Sequence, residues 1–184
     1  MDIKFKKLTE NAVIPYYAHN GDVGMDFTCT SIEYDEKNDL YIFHTGLAFE
    51  SDFEIGQFLF PRSSNRKTDA YLCNSVGIAD SAIYRGEIMF CYKNRDSVET
   101  IAMRDFFKMF MSSPINDFYD MKIAMQKTYE EVLLKHKNLE YAPYKVGDRI
   151  GQMVFLNTPN VVLHECSELS DSDRGANGFG STGN

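Results

Sequence analysis

The last part of the chain contains residue types that bind phosphate. It reads RGANGFGSTG at 174–183. Glycines let a backbone turn several N–H groups toward one anion, and the hydroxyls of Ser181 and Thr182 can donate to phosphate oxygens. Arg174 can bind a phosphate with two parallel hydrogen bonds. The aromatic ring of Phe179, flanked by glycines, suits the face of a nucleobase. The stretch therefore suggests a polyphosphate attached to a base.

This stretch belongs to a polar, glycine-rich tail at 167–184. Such a composition cannot bury enough apolar surface to stay folded by itself. The sequence predicts a flexible C-terminal arm that becomes ordered when a ligand binds.

The overall charge limits the partners of the chain. The sequence has 27 acidic and 19 basic residues, a net charge of −8, so it repels nucleic acid and anionic lipid. No nucleic acid or membrane partner is expected, and no apolar run reaches the roughly 18 residues of a membrane span. The N-terminal MDIKFKK lacks the apolar core of a signal peptide, which favours the cytoplasm. The four histidines lack zinc-ligand spacing.

The arrangement of apolar residues predicts a mostly β fold in a single domain over residues 1–184. Short β-like runs alternate with turn clusters rich in Asn, Asp and Gly, as in antiparallel sandwiches and barrels. The predicted strands cover residues 3–8, 41–44, 57–60, 88–92, 150–156 and 161–164.

Between residues 97 and 143 the apolar period becomes helical. One amphipathic helix carries Val98, Ala102, Phe106, Met109 and Phe110 on one face, and a second carries Phe118, Met121, Met125, Tyr129 and Val132. The string SSP at 112–114 separates them, because the residue before a proline is disfavoured in a helix. We expect an α-helical hairpin inserted at 97–143 into an all-β domain.

Five short motifs follow one another along the chain. They are GMDF at 24–27, PRSS at 61–64, NSVG at 74–77 with YRGE at 84–87, GDRIGQ at 147–152, and the tail at 174–183. In this order they resemble the motifs of the trimeric deoxyuridine triphosphatase (dUTPase) family. Singly several of them are loose, but five in the family's order are highly specific, and the resemblance covers nearly all of the chain outside the helical insertion. The insertion itself resembles that of some phage members.

The resemblance implies a distorted jelly-roll or barrel-like fold and a homotrimer with shared active sites. It implies hydrolysis of dUTP to dUMP and pyrophosphate, with Asp80 activating a water for in-line attack on the α-phosphorus. Asn74 and Gly77 would bind the base, Tyr84 would exclude a ribose 2′-hydroxyl, and Phe179 would stack on the uracil.

The same resemblance assigns the phosphate site and the metal. Arg62, Ser63, Ser64, Gln152, Arg174, Ser181 and Thr182 would hold the phosphates. Mg²⁺ would bridge the triphosphate oxygens, and Asp26 would touch the water shell of the metal from another subunit. Arg149, on the fourth motif, is equally suited to a phosphate contact and to a structural ion pair.

The chain departs from the family pattern at two points. Asp80 lies four residues before Tyr84 rather than three, an extra residue that a bulge or a longer turn can absorb. The third and fourth motifs are joined by about sixty residues rather than some twenty, because of the helical insertion.

Two other functions remain open from the sequence. A dCTP deaminase of the same fold would need a catalytic glutamate on the strand after the third motif, where this chain has Cys91. A nucleotide-binding regulatory module would act through the helical insertion, whose methionines could repack against a protein partner. The methionines concerned are Met103, Met109, Met111, Met121 and Met125.

Overall fold

The computed structural model describes residues 2–51, 54–80, 82–112, 118–173 and 175–176. Within them the chain forms two four-stranded antiparallel sheets, a two-stranded ribbon and two helices. In chain order the elements are β1 Lys4–Lys7, β2 Met25–Thr28, β3 Ser31–Asp35, β4 Leu40–His44, β5 Leu47–Glu50, β6 Ile55–Phe60, a 3-10 helix Ser63–Lys67, β7 Ala70–Leu72, β8 Gly77–Ala79, β9 Met89–Asn94, α1 Val98–Ser112, α2 Phe118–Lys137 and β10 Arg149–Asn157.

One sheet has the strand order β2-β10-β6-β8 and the other has β3-β4-β9-β7, while β1 pairs with β5. In β6, Ile55, Gln57 and Leu59 are buried while the residues between them are partly exposed, the alternation of a strand with one face on the core. Aromatic rings fill the core, as the ring of Tyr144 meets those of Phe43 and Tyr92 edge-on with centroids 5.7 and 5.2 Å away.

Both predicted helices are present, between β9 and β10. The first is capped by Ser97, whose hydroxyl accepts a 3.2 Å hydrogen bond from the Thr100 amide. Its buried face includes Ile101 and Phe106, and the Val98–Ala102 part of this face shares a small core with Val132 of α2. The helices therefore pack against each other through part of the apolar faces that their periodicity predicted. Met109, predicted on the apolar face of α1, is instead 41% exposed, because the shared core forms at the Val98–Ala102 end of the helix.

The buried side chain of His136 connects the end of α2 to the sheets. Its Nδ1 lies 2.8 Å from the hydroxyl of Tyr41 on β4, and its ring packs among those of Tyr34, Tyr41 and Tyr141. Neither helix among the described residues is long and apolar enough to cross a membrane.

One predicted strand does not form. Residues 161–164 have no strand structure, and their apolar side chains are exposed, with Leu163 at 89%. Apolar alternation alone does not make a strand, which also needs a neighbouring strand for its backbone hydrogen bonds. No described strand pairs with this run.

Candidate functional site

A cavity of about 270 Å³ lies beside β6, β8 and β9. Its lining includes all four residues that the sequence assigned to the base, the sugar and catalysis within the third motif, namely Asn74, Gly77, Asp80 and Tyr84. Apolar side chains on the strands also line the cavity. The other lining residues are Leu59, Ile78, Ala79, Glu87, Ile88, Met89 and Cys91.

The loop between β7 and β8 presents Asn74 at the cavity. The Asn74 carbonyl accepts a 2.6 Å hydrogen bond from the Val76 amide, and Ser75 has a positive φ of 59°, so the chain reverses sharply here. A Cβ on Gly77 would lie 3.1 Å from the Asn74 side-chain nitrogen and 3.0 Å from Leu59. Glycine at this position therefore lets β8 lie close to both side chains.

The extra residue between Asp80 and Tyr84 is absorbed in a turn. The Asp80 carbonyl accepts hydrogen bonds from the amides of both Ile83, at 2.9 Å, and Tyr84, at 2.7 Å. This pattern is one turn of helix rather than a bulge. It places Asp80 and Tyr84 on the lining of the same cavity despite their unusual spacing.

Glu87 and Gly86 hold the rim of the cavity in place. The Glu87 carboxylate accepts hydrogen bonds from the amides of Thr45, at 3.1 Å, and Gly46, at 2.6 Å, and its other oxygen lies 2.9 Å from His44 Nδ1. The Tyr84 hydroxyl donates to the Glu87 carbonyl at 3.1 Å, and a Cβ on Gly86 would overlap the Tyr84 ring. These contacts give the glycine and the glutamate of this motif structural roles.

The acid-base groups at the cavity differ in their surroundings. Burial raises the pKa of the Cys91 thiol, which keeps it protonated near neutral pH. The Glu87 carboxylate already accepts hydrogen bonds from two backbone amides and contacts His44. Among the described residues no ion pair engages the Asp80 carboxylate, which also lines the cavity.

A second cluster of residues singled out by the sequence forms around Asp26. Arg62 Nε lies 2.7 Å from one Asp26 oxygen, and Arg149 lies 2.9 Å from the other. The Arg62 guanidinium also donates to the Ser64 hydroxyl at 3.2 Å. Gln152 pairs with Asp26 across β10 and β2, and its side chain donates to the carbonyl of residue 61 at 3.2 Å. The structure thus places Arg62, Ser64 and Gln152 near one another.

The 3-10 helix Ser63–Lys67 carries both serines of the second motif and leaves Ser63 exposed. Its geometry depends on Asn65, which the sequence analysis did not select. Its side-chain amide donates to the Ala70 carbonyl at 3.0 Å, and its side-chain oxygen accepts from Thr68 at 3.0 Å and from Tyr144 at 2.8 Å. The only sequence signal for Asn65 was its position after the second motif.

The cavity and the arginine cluster remain separate within one chain, since neither Arg62 nor Gln152 lines the cavity. The tail residues Arg174, Phe179, Ser181 and Thr182 lie outside the described residues. Across the described part of the chain, no group of three or more His, Cys, Asp or Glu side chains could hold a metal ion.

An antiparallel β protein with a cavity of this size and a separate cluster of basic side chains has features suited to a nucleotide. Comparisons with known proteins are consistent with this class. No family model matches the chain. A deoxyuridine 5′-triphosphate nucleotidohydrolase of Trichodesmium erythraeum is 28% identical over 184 residues, which cover 100% of this chain and 99% of the relative. The enzyme of the same name from Nautilia profundicola is 29% identical over 184 residues, with 100% and 99% coverage.

Solved structures show the same fold. The dUTPase of Staphylococcus bacteriophage 80alpha, solved with dUPNHPP, matches with a TM-score of 0.65 at 22% identity, over 99% of this chain and 98% of that one. The dUTPase of the S. aureus phage phi11, solved to visualise its species-specific insert, has a TM-score of 0.58 at 17% identity. The match covers 94% of this chain and 100% of the phage chain. The chain is therefore similar to the named dUTP nucleotidohydrolases along its full length, and its fold is similar to that of the phage dUTPases.

Proposed function

We propose that this chain hydrolyses dUTP to dUMP and pyrophosphate. The proposal rests mainly on one observation, that Asn74, Tyr84 and Asp80 line the same cavity. Asn74 would bind the base, Tyr84 would contact the sugar, and Asp80 would accept the proton. The relatives named as deoxyuridine 5′-triphosphate nucleotidohydrolases, similar over the full length of this chain, support the same activity.

The cavity would select uracil and deoxyribose. The Asn74 amide, together with backbone groups of β8 around Gly77, offers donors and acceptors to the base edge. A cytosine amino group would leave some of these groups unpaired, which costs free energy in a buried site. Tyr84 would lie beneath the sugar and exclude a 2′-hydroxyl.

Hydrolysis requires a water in line with the α-phosphorus. Asp80 would accept a proton from this water as its oxygen bonds to the α-phosphorus, and the bond to the oxygen bridging the α- and β-phosphates breaks to release pyrophosphate. Arg62, Ser63, Ser64 and Gln152 would hold the phosphates. Alignment and fixed positive charge would supply most of the acceleration.

Magnesium fits this site as an ion held mainly by phosphate and water. The described chain has no cluster of metal-binding side chains, and Mg²⁺ prefers to keep several waters when it binds a nucleotide. When bound, it would neutralise charge on the triphosphate oxygens. Asp26, the residue predicted to touch its water shell, has both oxygens engaged by arginines within the described chain.

A homotrimer would join the two clusters that one chain keeps apart. The cavity of one subunit and the Arg62 cluster of a neighbour would form one site, giving three shared sites. Exposed apolar side chains such as Phe5, Ile14 and Tyr17, which line a second, open cavity of about 420 Å³, support contacts with other copies. The two sheets would form the distorted jelly roll, with residues 97–143 as an inserted hairpin.

The C-terminal arm, residues 167–184, would complete the site on substrate binding. Phe179 would stack on uracil, while Arg174, Ser181 and Thr182 would enclose the phosphates. The substrate would supply the free energy that orders the arm and would bring it over the neighbouring subunit.

A pyrophosphate-release assay across dUTP, dCTP, dTTP and UTP tests the proposed activity. We expect rapid release from dUTP and little from the other three nucleotides. Pyrophosphate release from UTP at a similar rate, or none from dUTP, would refute the proposal. Conversion of dCTP to a uridine nucleotide would instead support a dCTP deaminase. The sequence disfavours that activity, because a dCTP deaminase requires a catalytic glutamate at the position of Cys91.

A second function, binding of a protein partner, is favoured by the outer surface of the two helices. Met103, Met109 and Met111 are exposed, with Met111 at 80%, as are Phe107 and Ile123. Flexible methionines on such a surface can adapt to a partner. Replacing residues 98–140 by a short linker should leave hydrolysis nearly intact if the helices serve a partner. Loss of folding or of the trimer would assign them to the core instead.

A further inference from the structure

Two cysteines lie opposite each other where the pairing of β7 with β9 ends. The register of these strands places Leu72 opposite Tyr92. The next step of the same register places Cys73 opposite Cys91, and the Cys73 amide donates a 2.9 Å hydrogen bond to the Cys91 carbonyl. The two cysteines therefore form a hydrogen-bonded pair of an antiparallel ladder.

Both thiols lie on the outer face of the sheet. Leu72 and Tyr92, the preceding pair, are buried in the core, and side chains alternate between the two faces along a strand. Cys73 is exposed and Cys91 is partly exposed. The Cα atoms of a hydrogen-bonded pair are about 5.5 Å apart, within the range of roughly 4.4–6.8 Å that a disulfide spans. A disulfide between Cys73 and Cys91 is therefore compatible with the observed strand pairing.

Formation of this disulfide would draw the two strands together locally. The Cβ atoms of directly opposite residues are about 4.5–5.5 Å apart, with hydrogen-bonded pairs at the longer end, whereas those of a disulfide are about 3.8 Å apart. The Cβ atoms of Cys73 and Cys91 must therefore approach each other by roughly 1–2 Å. A disulfide that forms under such a constraint, at an exposed position, is easily reduced, as regulatory disulfides are.

The movement would occur at the wall of the proposed base site. Cys91 lines the cavity, and Cys73 directly precedes Asn74, which also lines it. The chain turns tightly here, because the Ser75 amide donates a 3.0 Å hydrogen bond to the Leu72 carbonyl. This bond closes the turn around Cys73 and Asn74, so a displacement of Cys73 also displaces Asn74.

We propose that Cys73 and Cys91 form a reversible disulfide that distorts the cavity and weakens its binding of the nucleotide. The inference rests on the proposed function, in which Asn74 binds the base. It makes the cysteine pair a site of oxidation whose state controls the affinity for substrate. The oxidant is a small disulfide such as oxidised glutathione.

The reaction consists of two thiol–disulfide exchanges. The Cys73 thiolate attacks one sulfur of the oxidant, whose S–S bond breaks and releases one glutathione thiolate. The Cys91 thiolate then attacks the Cys73 sulfur and displaces the second glutathione. Two electrons pass from the cysteines to the oxidant, and the two thiol protons end on the released glutathiones. Burial raises the pKa of both cysteines, but Lys93 opposes the rise at Cys73, so the exposed Cys73 is the better first nucleophile.

The test is treatment of the native chain with oxidised glutathione, followed by mass spectrometry and by isothermal titration calorimetry with the non-hydrolysable α,β-imido analogue of dUTP. The mass should fall by about 2 Da, and peptide mapping should show Cys73 joined to Cys91. The oxidised chain should bind the analogue about tenfold more weakly. Dithiothreitol should restore both the mass and the affinity.

Cys73→Ser separates the disulfide from other effects of oxidation. Before treatment this variant should bind the analogue as the native chain does, and after treatment its affinity should stay within about twofold of that value. Cys166→Ser is the matched control, because it removes an exposed thiol that lies outside the β7–β9 pair. It should still form the disulfide and lose affinity as the native chain does.

Four results would overturn the proposal. They are the absence of a Cys73–Cys91 peptide, a stable glutathione adduct in its place, a disulfide that leaves the affinity unchanged, and an equal loss of affinity in Cys73→Ser. The assay of pyrophosphate release on the reduced chain tests the proposed function separately. If that activity is absent, the peptide map and the binding of the analogue still decide whether the disulfide forms and whether it weakens binding.

Discussion

The hydroxyl of Tyr144 donates a 2.8 Å hydrogen bond to the side-chain oxygen of Asn65. Tyr144 follows the helical segment in the chain, and Asn65 is the central residue of the 3-10 helix that carries Ser63 and Ser64. The Tyr144 ring is fixed in the core by the rings of Phe43 and Tyr92. The loop proposed to bind phosphate is therefore supported by the segment that returns from the helices to β10.

Tyr144→Phe should loosen the phosphate loop without breaking the core. The ring contacts remain, but Asn65 loses one of its side-chain partners, which should cost about 1 kcal/mol of unfolding free energy. The KM for dUTP should rise severalfold while kcat changes less, because the loop contacts phosphate and not the attacking water. Urea unfolding and steady-state kinetics measure both effects. Tyr71→Phe, at an exposed tyrosine on β7, should change neither quantity.

The amide of Gln57 is buried without a hydrogen-bond partner among the described residues. Gln57 is 0% exposed, and neither its side-chain oxygen nor its nitrogen is satisfied. An unpaired buried amide costs about 1–3 kcal/mol.

Gln57→Met should therefore raise the unfolding free energy by about 1 kcal/mol, since methionine has a similar shape and no amide to desolvate. Denaturant unfolding measures the change. At Gln126, whose exposed amide donates to Glu130 at 2.8 Å, the same substitution should have little effect. A loss of stability in Gln57→Met would mean that a buried water or another polar group satisfies this side chain.

His136 should make the attachment of α2 sensitive to acid. Burial lowers the pKa of His136 from the ordinary value of 6.5, and the nearby Asp39 opposes this shift only in part. As the pH falls below 6.5, the unfolded chain takes up a proton that the folded chain resists. The folded chain therefore has its full free energy of unfolding above that pH. Below it, this free energy falls by at most about 1.4 kcal/mol per pH unit, until the pKa of His136 in the folded chain is reached.

The pH dependence is measured by comparing the native chain with His136→Phe between about pH 7.5 and about pH 5.5. The variant should be less stable at the upper pH, because it loses the contact with Tyr41, but should lose less stability on acidification. His164→Phe, at an exposed histidine, should keep the native pH dependence. Identical slopes for the native chain and His136→Phe would exclude His136 as the source.

Removal of residues 171–184 should cut the turnover of dUTP by about 100-fold or more, because the arm is proposed to close over the substrate and align it. The melting temperature should change little, since the described residues 171–173 and 175–176 are exposed. Full activity in the truncated chain would refute the role of the arm. Phe179→Ala, with a smaller loss expected in kcat/KM, separates base stacking from phosphate contacts.

The sequence predicted much of the fold because its strands and helices have clear local periods. The helices at 98–112 and 118–137 follow their 3.6-residue pattern, and β6 follows its alternation. The error at 161–164 came from the same rule, since an apolar run indicates a strand only if another strand is there to pair with it. Pairing is a property of the whole fold and is not contained in a short window.

The grouping of the candidate site residues was predictable where they are close in sequence. Asn74, Gly77, Asp80 and Tyr84 fall within one motif and line one cavity. The contacts of Asp26 were not predictable, because Arg62 and Arg149 are 36 and 123 residues away and the second contact depends on a bulge. The turn that absorbs the extra residue before Tyr84 could be anticipated as a possibility, but its hydrogen bonds could not.

The most direct test of the account is the turnover of Asp80→Asn with dUTP, measured beside its affinity for the α,β-imido analogue. The amide retains the shape of the carboxylate but cannot accept the proton of the attacking water. We predict that pyrophosphate release falls by about 100-fold or more while the analogue binds within about threefold of its native affinity. Turnover near the native rate would show that another group activates the water, and the proposed mechanism would then be wrong.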